Sequence, residues 1–106
     1  MFHNALLERI GTIPYTRPMQ RYVIIVTGKV QGVFFRDTAR KVALGLGLTG
    51  LIRNEPNGSV YIEAEGDESS LKKFLSWCHA GPAQAKVTTV TSTKQTPTGH
   101  KGFQIR

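Results

Sequence analysis

Arg21-Tyr22-Val23-Ile24-Ile25-Val26-Thr27-Gly28-Lys29-Val30-Gln31-Gly32-Val33-Phe34-Phe35-Arg36 is the stretch that decides the fold. From Gln20 to Thr27 the residues are β-branched and nearly unbroken, which predicts a strand that is covered on both sides or central in its sheet. Gly28 stops it. Lys29 to Val33 form a loop with a second glycine at Gly32. Phe35, Ala39, Val42 and Leu46 then recur at steps of four, three and four, one face of a helix, with Arg36, Arg40 and Lys41 partly off that face. Gly45 and Gly47 weaken and end this helix.

Outward from this unit, Thr49 to Arg53 reads as a second strand, and Pro56-Asn57-Gly58 is a strong turn. Val60, Ile62 and Ala64 alternate with Tyr61, Glu63 and Glu65 in a half-buried strand, so residues 49–66 form a hairpin. Asp67 suits the cap of a second helix, whose stripe is Leu71, Phe74, Leu75 and Cys78 and whose end is Gly81-Pro82. Lys86 to Thr93 is β-branched again, although Val87 and Val90 have opposite phase. Phe103 to Arg106 completes the set as a short last strand. The order β-α-β-β-α-β is the ferredoxin-like, split-βαβ arrangement: an α+β sandwich with two helices on one face of a four- or five-stranded, mostly antiparallel sheet. Strands one and two are then parallel with strand three between them. The loop after strand one, the first helix's N-terminus and Asn54 therefore converge on one edge.

The 106 residues amount to one domain, divided into an N-terminal extension over 1–18 and a folded unit over 19–106. The extension reads either as a brief helix over Ala5 to Ile10 or as a frayed tail. No apolar run approaches a membrane span, and the N-terminus lacks the apolar core of a secretory signal. Cys78 is the single cysteine, which excludes an intramolecular disulfide and a cysteine-rich zinc site and fits a cytoplasmic home. The net charge of +7 favours an anionic partner. Lys29, Arg36, Arg40, Lys41 and Arg53 lie between Gly28 and Arg53, against Asp37 alone.

A glycine-bounded loop feeding a helix is a natural anion cradle, because its amide groups lack partners and the helix dipole adds positive potential. Arg36, in the first helical turn, has forked donors that suit a phosphoryl group. The loop is neither a Walker A nor a dinucleotide motif, and by itself reads equally as an ordinary tight loop. Val26-Thr27-Gly28-Lys29-Val30-Gln31-Gly32-Val33-Phe34-Phe35-Arg36 resembles the signature of the acylphosphatase family. Gly50-Leu51-Ile52-Arg53-Asn54 and Asn57-Gly58-Ser59-Val60 resemble that family's second stretch, and Gly66, Gly81-Pro82 and Phe103-x-Ile105-Arg106 also fit. The similarity covers roughly residues 21–106.

The resemblance implies hydrolysis of a carboxyl-phosphate bond to a carboxylate and inorganic phosphate, with no metal and no cofactor. It places the phosphate-binding arginine on Arg36 and the water-positioning asparagine on Asn54. The cradle falls on the main chain of Gly28, Lys29, Val30, Gln31, Gly32, Val33, Phe34 and Phe35. Glu55 departs from the common pattern, and a carboxylate there would oppose anion binding unless it points outward. A carboxylate is already a good leaving group, so no acid–base pair is required. The expected partners are a small acyl phosphate and inorganic phosphate, and the expected state is a monomer, with no membrane.

Other residues carry blander readings. His3, His79 and His100 show no ligand spacing, Cys78 lies on a core stripe, Phe35 is at core spacing, and Ser69 and Ser70 sit near a helix start. The competing function is a basic nucleic-acid-binding module of the same fold, but strands one and three lack the aromatic pattern of an RNA-stacking sheet. A module cut from a larger maturation factor is a third possibility, against which the end at Ile105-Arg106 without zinc-ligand cysteines speaks.

Overall fold

The run that opened the sequence forms β1 (Gln20–Lys29), which lies inside a sheet rather than at its edge. This computed structural model describes residues 18–106. The helix considered over Ala5 to Ile10 lies outside the described residues, as does the rest of the extension before Pro18. After β1 come α1 (Phe35–Gly45), β2 (Thr49–Asn54), β3 (Val60–Gly66), α2 (Glu68–Ala80), β4 (Lys86–Gln95) and β5 (Phe103–Ile105). The strand order is β4-β1-β3-β2-β5. β3 pairs antiparallel with both β1 and β2, so β1 and β2 run parallel on either side of it, as the element order required. β5 pairs parallel with β2, which makes the sheet mixed.

Register sets Ile24, Ile62 and Ile52 side by side, all fully buried. Tyr22, Val26, Val60 and Ala64 share their face, and the helices close it with Phe35, Ala39, Ala43, Leu71, Phe74 and Cys78. The α2 stripe is the one its spacing predicts. On α1 the fully buried row is Phe35, Ala39 and Ala43, while Val42 and Leu46 are only partly buried, because the small alanines let the helix sit close on the sheet. Burial pushes the Cys78 thiol pKa up to about 12, which leaves it inert.

On the opposite face Val23 and Ile25 are only half-buried. Part of that face is crossed by the segment between β4 and β5, held by Glu65. This fully buried carboxylate accepts hydrogen bonds from Thr98 N (2.6 Å), Thr98 Oγ1 (2.9 Å), Gly99 N (3.0 Å) and His100 N (3.1 Å). Burial raises its pKa, but the bonds from Thr98, His100 and Gly99 outweigh that and hold it below the usual range.

The phase conflict between Val87 and Val90 has a structural cause. The β1–β4 register shifts between Thr27, opposite Thr89, and Gly28, opposite Val87. Thr88 is the extra residue of a β-bulge, so both valines turn towards the helices and pack against the core. Gly28 is required here. Its φ is +121°, and a Cβ would lie 2.2 Å from the Lys86 carbonyl oxygen.

Candidate active site

The site is built where β1, β2 and α1 meet. A cavity of about 280 Å³ is lined by Val30, Gly32, Phe34, Phe35, Arg36, Asp37, Asn54 and Ile105. Arg36 and Asn54, eighteen positions apart in sequence, thus face one space. Parallel β1 and β2 deliver their C-terminal ends to the same sheet edge, and Asn54 is the last residue of β2, opposite Val60. Arg36 is the second residue of α1. Gly28, Lys29, Gln31 and Val33 do not line the cavity, although the loop they form carries Val30 and Gly32 to it.

Arg36 differs from its neighbours. Arg21 pairs with Glu63 at 3.0 Å, Arg40 Nε donates to the Phe103 carbonyl at 2.6 Å, Arg53 pairs with Glu55 at 2.6 Å, and Arg106 donates to Gln104. Among the described arginines, half-buried Arg36 alone has no hydrogen bond or ion pair. Asn54 Oδ1 is similarly buried without a partner among the described residues. A buried polar atom without a partner is costly in a folded chain, by about 1–3 kcal/mol, and commonly marks a place where a ligand or water completes the bonding.

The backbone adds donors. Gln31 to Phe34 form bends without hydrogen-bonded turns, and the amides of Gln31 to Asp37 reach no main-chain carbonyl among the described residues. The first bond at the helix start is Thr38 N to the Phe34 carbonyl, at 3.1 Å. Free amides at a helix N-terminus, beside an unpaired guanidinium, make an electropositive pocket suited to an anion. Phe34 holds φ +64° and ψ 22°, and it is the one non-glycine residue with positive φ among those described. That conformation costs about 1–3 kcal/mol for a bulky residue, and its ring recovers little because it is 70% exposed. Phe35, one residue on, is core: its ring lies 5.3 Å from that of Trp77.

Gln31 is the strap. Its side-chain Nε2 donates to the carbonyls of Glu55 and Ser59, both at 2.9 Å, tying the loop to the turn that follows Asn54. Asn57 shapes that turn by accepting from Ser59 N at 3.0 Å and Ser59 Oγ at 2.7 Å. Gln31→Ala is expected to lower the unfolding free energy by about 1–3 kcal/mol, the worth of two net hydrogen bonds. Urea unfolding measures it, and an unchanged midpoint would show the strap to be slack.

Glu55 does not line the cavity. It accepts from Arg53 Nε, and Arg53 in turn lies 4.2 Å over the Tyr61 ring. The hydrogen bond that Arg53 donates to Glu55 holds the Arg53 pKa above its ordinary value. The carboxylate therefore faces outward, and Arg53 is occupied on the other face of the sheet from Asn54. Glu63 anchors the same face: burial raises its pKa, but bonds from Tyr61, His100 and Arg21 bring it down to about 2. His100 thus serves a structural hydrogen bond to Glu63, His79 is exposed, and His3 lies outside the described residues. No cluster of His, Cys, Asp and Glu side chains among the described residues could hold a metal ion.

The sequence reading missed two lining residues. Asp37 and Ile105 reach the cavity, and the only signal for the second was the Phe103-x-Ile105 pattern at the end of the chain.

The sequence matches the acylphosphatase family model over residues 22–105. The chain belongs to the acylphosphatase family. An acylphosphatase of Thermotoga maritima is 46% identical over 88 residues, 83% of this chain and 98% of the relative. The structure of an acylphosphatase from Coxiella burnetii superposes with a TM-score of 0.81 at 36% identity, covering 83% of this chain and 93% of that one. The acylphosphatase from Bacillus subtilis gives 0.80 at 38% identity, over 82% and 98%. The enzyme class is accordingly that of acylphosphatases, hydrolases of acid anhydrides, acting on a small molecule. No helix among the described residues is long and apolar enough to cross a membrane.

Proposed function

We propose that Arg36 and the amides of the Gly28–Phe35 loop hold the phosphoryl group of an acyl phosphate, while Asn54 orients the water that attacks it. The observation that carries this reading is the pairing of an unpartnered guanidinium with an unpartnered Asn54 Oδ1 on one small cavity. Arg36 neutralises the equatorial oxygens with two parallel N–H groups, and the loop amides take the remainder. The Asn54 amide oxygen accepts a hydrogen bond from the water and aims the water's lone pair at phosphorus.

Water oxygen bonds to phosphorus as the bond from phosphorus to the acyl oxygen breaks. The electron pair of that bond leaves on the carboxylate, and one water proton passes to a phosphoryl oxygen. A carboxylate and dihydrogen phosphate result, with charge conserved. The leaving group departs without a proton, so no shifted His or Asp is needed.

No step of this scheme passes through a metal. Turnover of a synthetic acyl phosphate is expected to persist with excess chelator, measured as phosphate release. Loss of turnover that a divalent cation restores would overturn it. The same reading makes the chain a cytoplasmic monomer without a nucleic-acid partner. Its one cysteine is buried.

A further inference from the structure

We infer that the wall formed by Phe34 and Ile105 takes the acyl group of the substrate and favours an apolar one, aromatic or branched. The inference deepens the reading above and rests on it. Once Arg36, Asn54 and the loop amides engage the phosphoryl end, the cavity's remaining side-chain surface is Val30, Phe34, Phe35, Ile105 and Asp37.

The exposed large apolar side chains among the described residues are Met19, Phe34, Leu44 and Ile105, and two of them border this one cavity. A single exposed apolar side chain needs no explanation. Two on one small polar-ended cavity form a surface that an apolar group would cover.

Both are held in place. Ile105 stands opposite Ile52 in the parallel β2–β5 pair, fixed by Gly50 N to the Gly102 carbonyl (2.8 Å) and Arg106 N to the Ile52 carbonyl (2.8 Å). Arg40 clamps the same strand to α1 through the Phe103 carbonyl. Phe34 is kept at positive φ, where glycine or asparagine would sit with less strain, and its ring is not spent on the core.

Asp37 adds no net charge to this wall. It lies on the lining, with Lys41 as its ion pair at 3.5 Å on the exposed helix face. The cavity's volume is near the low end of small-molecule sites, roughly 300–1,000 Å³, which fits a phosphoryl group with one compact acyl group.

The test is kcat/KM on benzoyl phosphate and on acetyl phosphate for the unaltered full-length chain, Phe34→Ala, Ile105→Ala and Leu44→Ala. The benzoyl-to-acetyl ratio, taken relative to the unaltered chain, cancels the intrinsic reactivities. It is expected to fall roughly tenfold in Phe34→Ala and Ile105→Ala, the scale on which a small apolar group in a pocket discriminates between substrates. Leu44→Ala, exposed on α1 away from the cavity, is expected to keep the ratio. An unchanged ratio in both wall variants, with rates on the two substrates falling together, would overturn the acyl assignment and leave the phosphoryl site standing. If the unaltered chain turns over neither substrate, the site reading itself is wrong and this inference falls with it.

Discussion

Arg36→Ala is expected to lower kcat/KM on an acyl phosphate by roughly 10³-fold or more, the scale on which a phosphoryl-clamping arginine acts. Competitive inhibition by inorganic phosphate is expected to weaken with it, because the same guanidinium serves ground state and transition state. Arg36→Lys restores little: an ammonium returns the charge but not two parallel donors. The fold is expected to tolerate both changes. Arg36 has no hydrogen bond or ion pair among the described residues, so unfolding free energy shifts by no more than about 0.5 kcal/mol. Activity and stability are thus separated at one position. A variant that keeps its rate, or that loses rate only because it unfolds, would remove Arg36 from the site.

Asn54→Ala is expected to behave differently. Its rate falls by roughly 10²–10³-fold, as for other lost transition-state hydrogen-bond partners, while inhibition by inorganic phosphate changes little. The split follows from position: Asn54 ends β2 and comes from across the cavity, whereas the amides belong to the loop and α1. Stability is expected to hold or rise slightly, since the substitution removes a buried acceptor that no described protein group satisfies. Equal loss of phosphate affinity and rate would show Asn54 to be a phosphate ligand rather than a water-positioning group.

Much of this site was legible in the sequence. The β-branched run, glycine placement and helical spacing in the β1–loop–α1 stretch put this loop beside the cavity, and element order alone put Asn54 at the same edge. The motif resemblance then implied two roles that periodicity cannot separate. What stayed hidden were interactions made across the fold. Nothing local to Gln31 says that its side chain spans to Glu55 and Ser59. Glu55 and Arg53 are only two positions apart, but the stacking of Arg53 on Tyr61 is made across β2 and β3. The opposed phases of Val87 and Val90 could not be resolved within β4, because the bulge that reconciles them exists only as a register shift against β1.

By itself the sequence determined the order of strands and helices, the α2 core stripe and the loop with its arginine, since each depends on neighbours a few positions away. The tertiary structure decided which charged groups remain free. Five described arginines are alike in type; distant partners occupy Arg21 and Arg40, sequence neighbours occupy Arg53 and Arg106, and Arg36 is left facing the cavity. It also brought Ile105 beside Phe34, seventy-one positions apart, by pairing β5 parallel to β2. Availability is a property of what every other side chain is already bonded to, and only the packed chain fixes that.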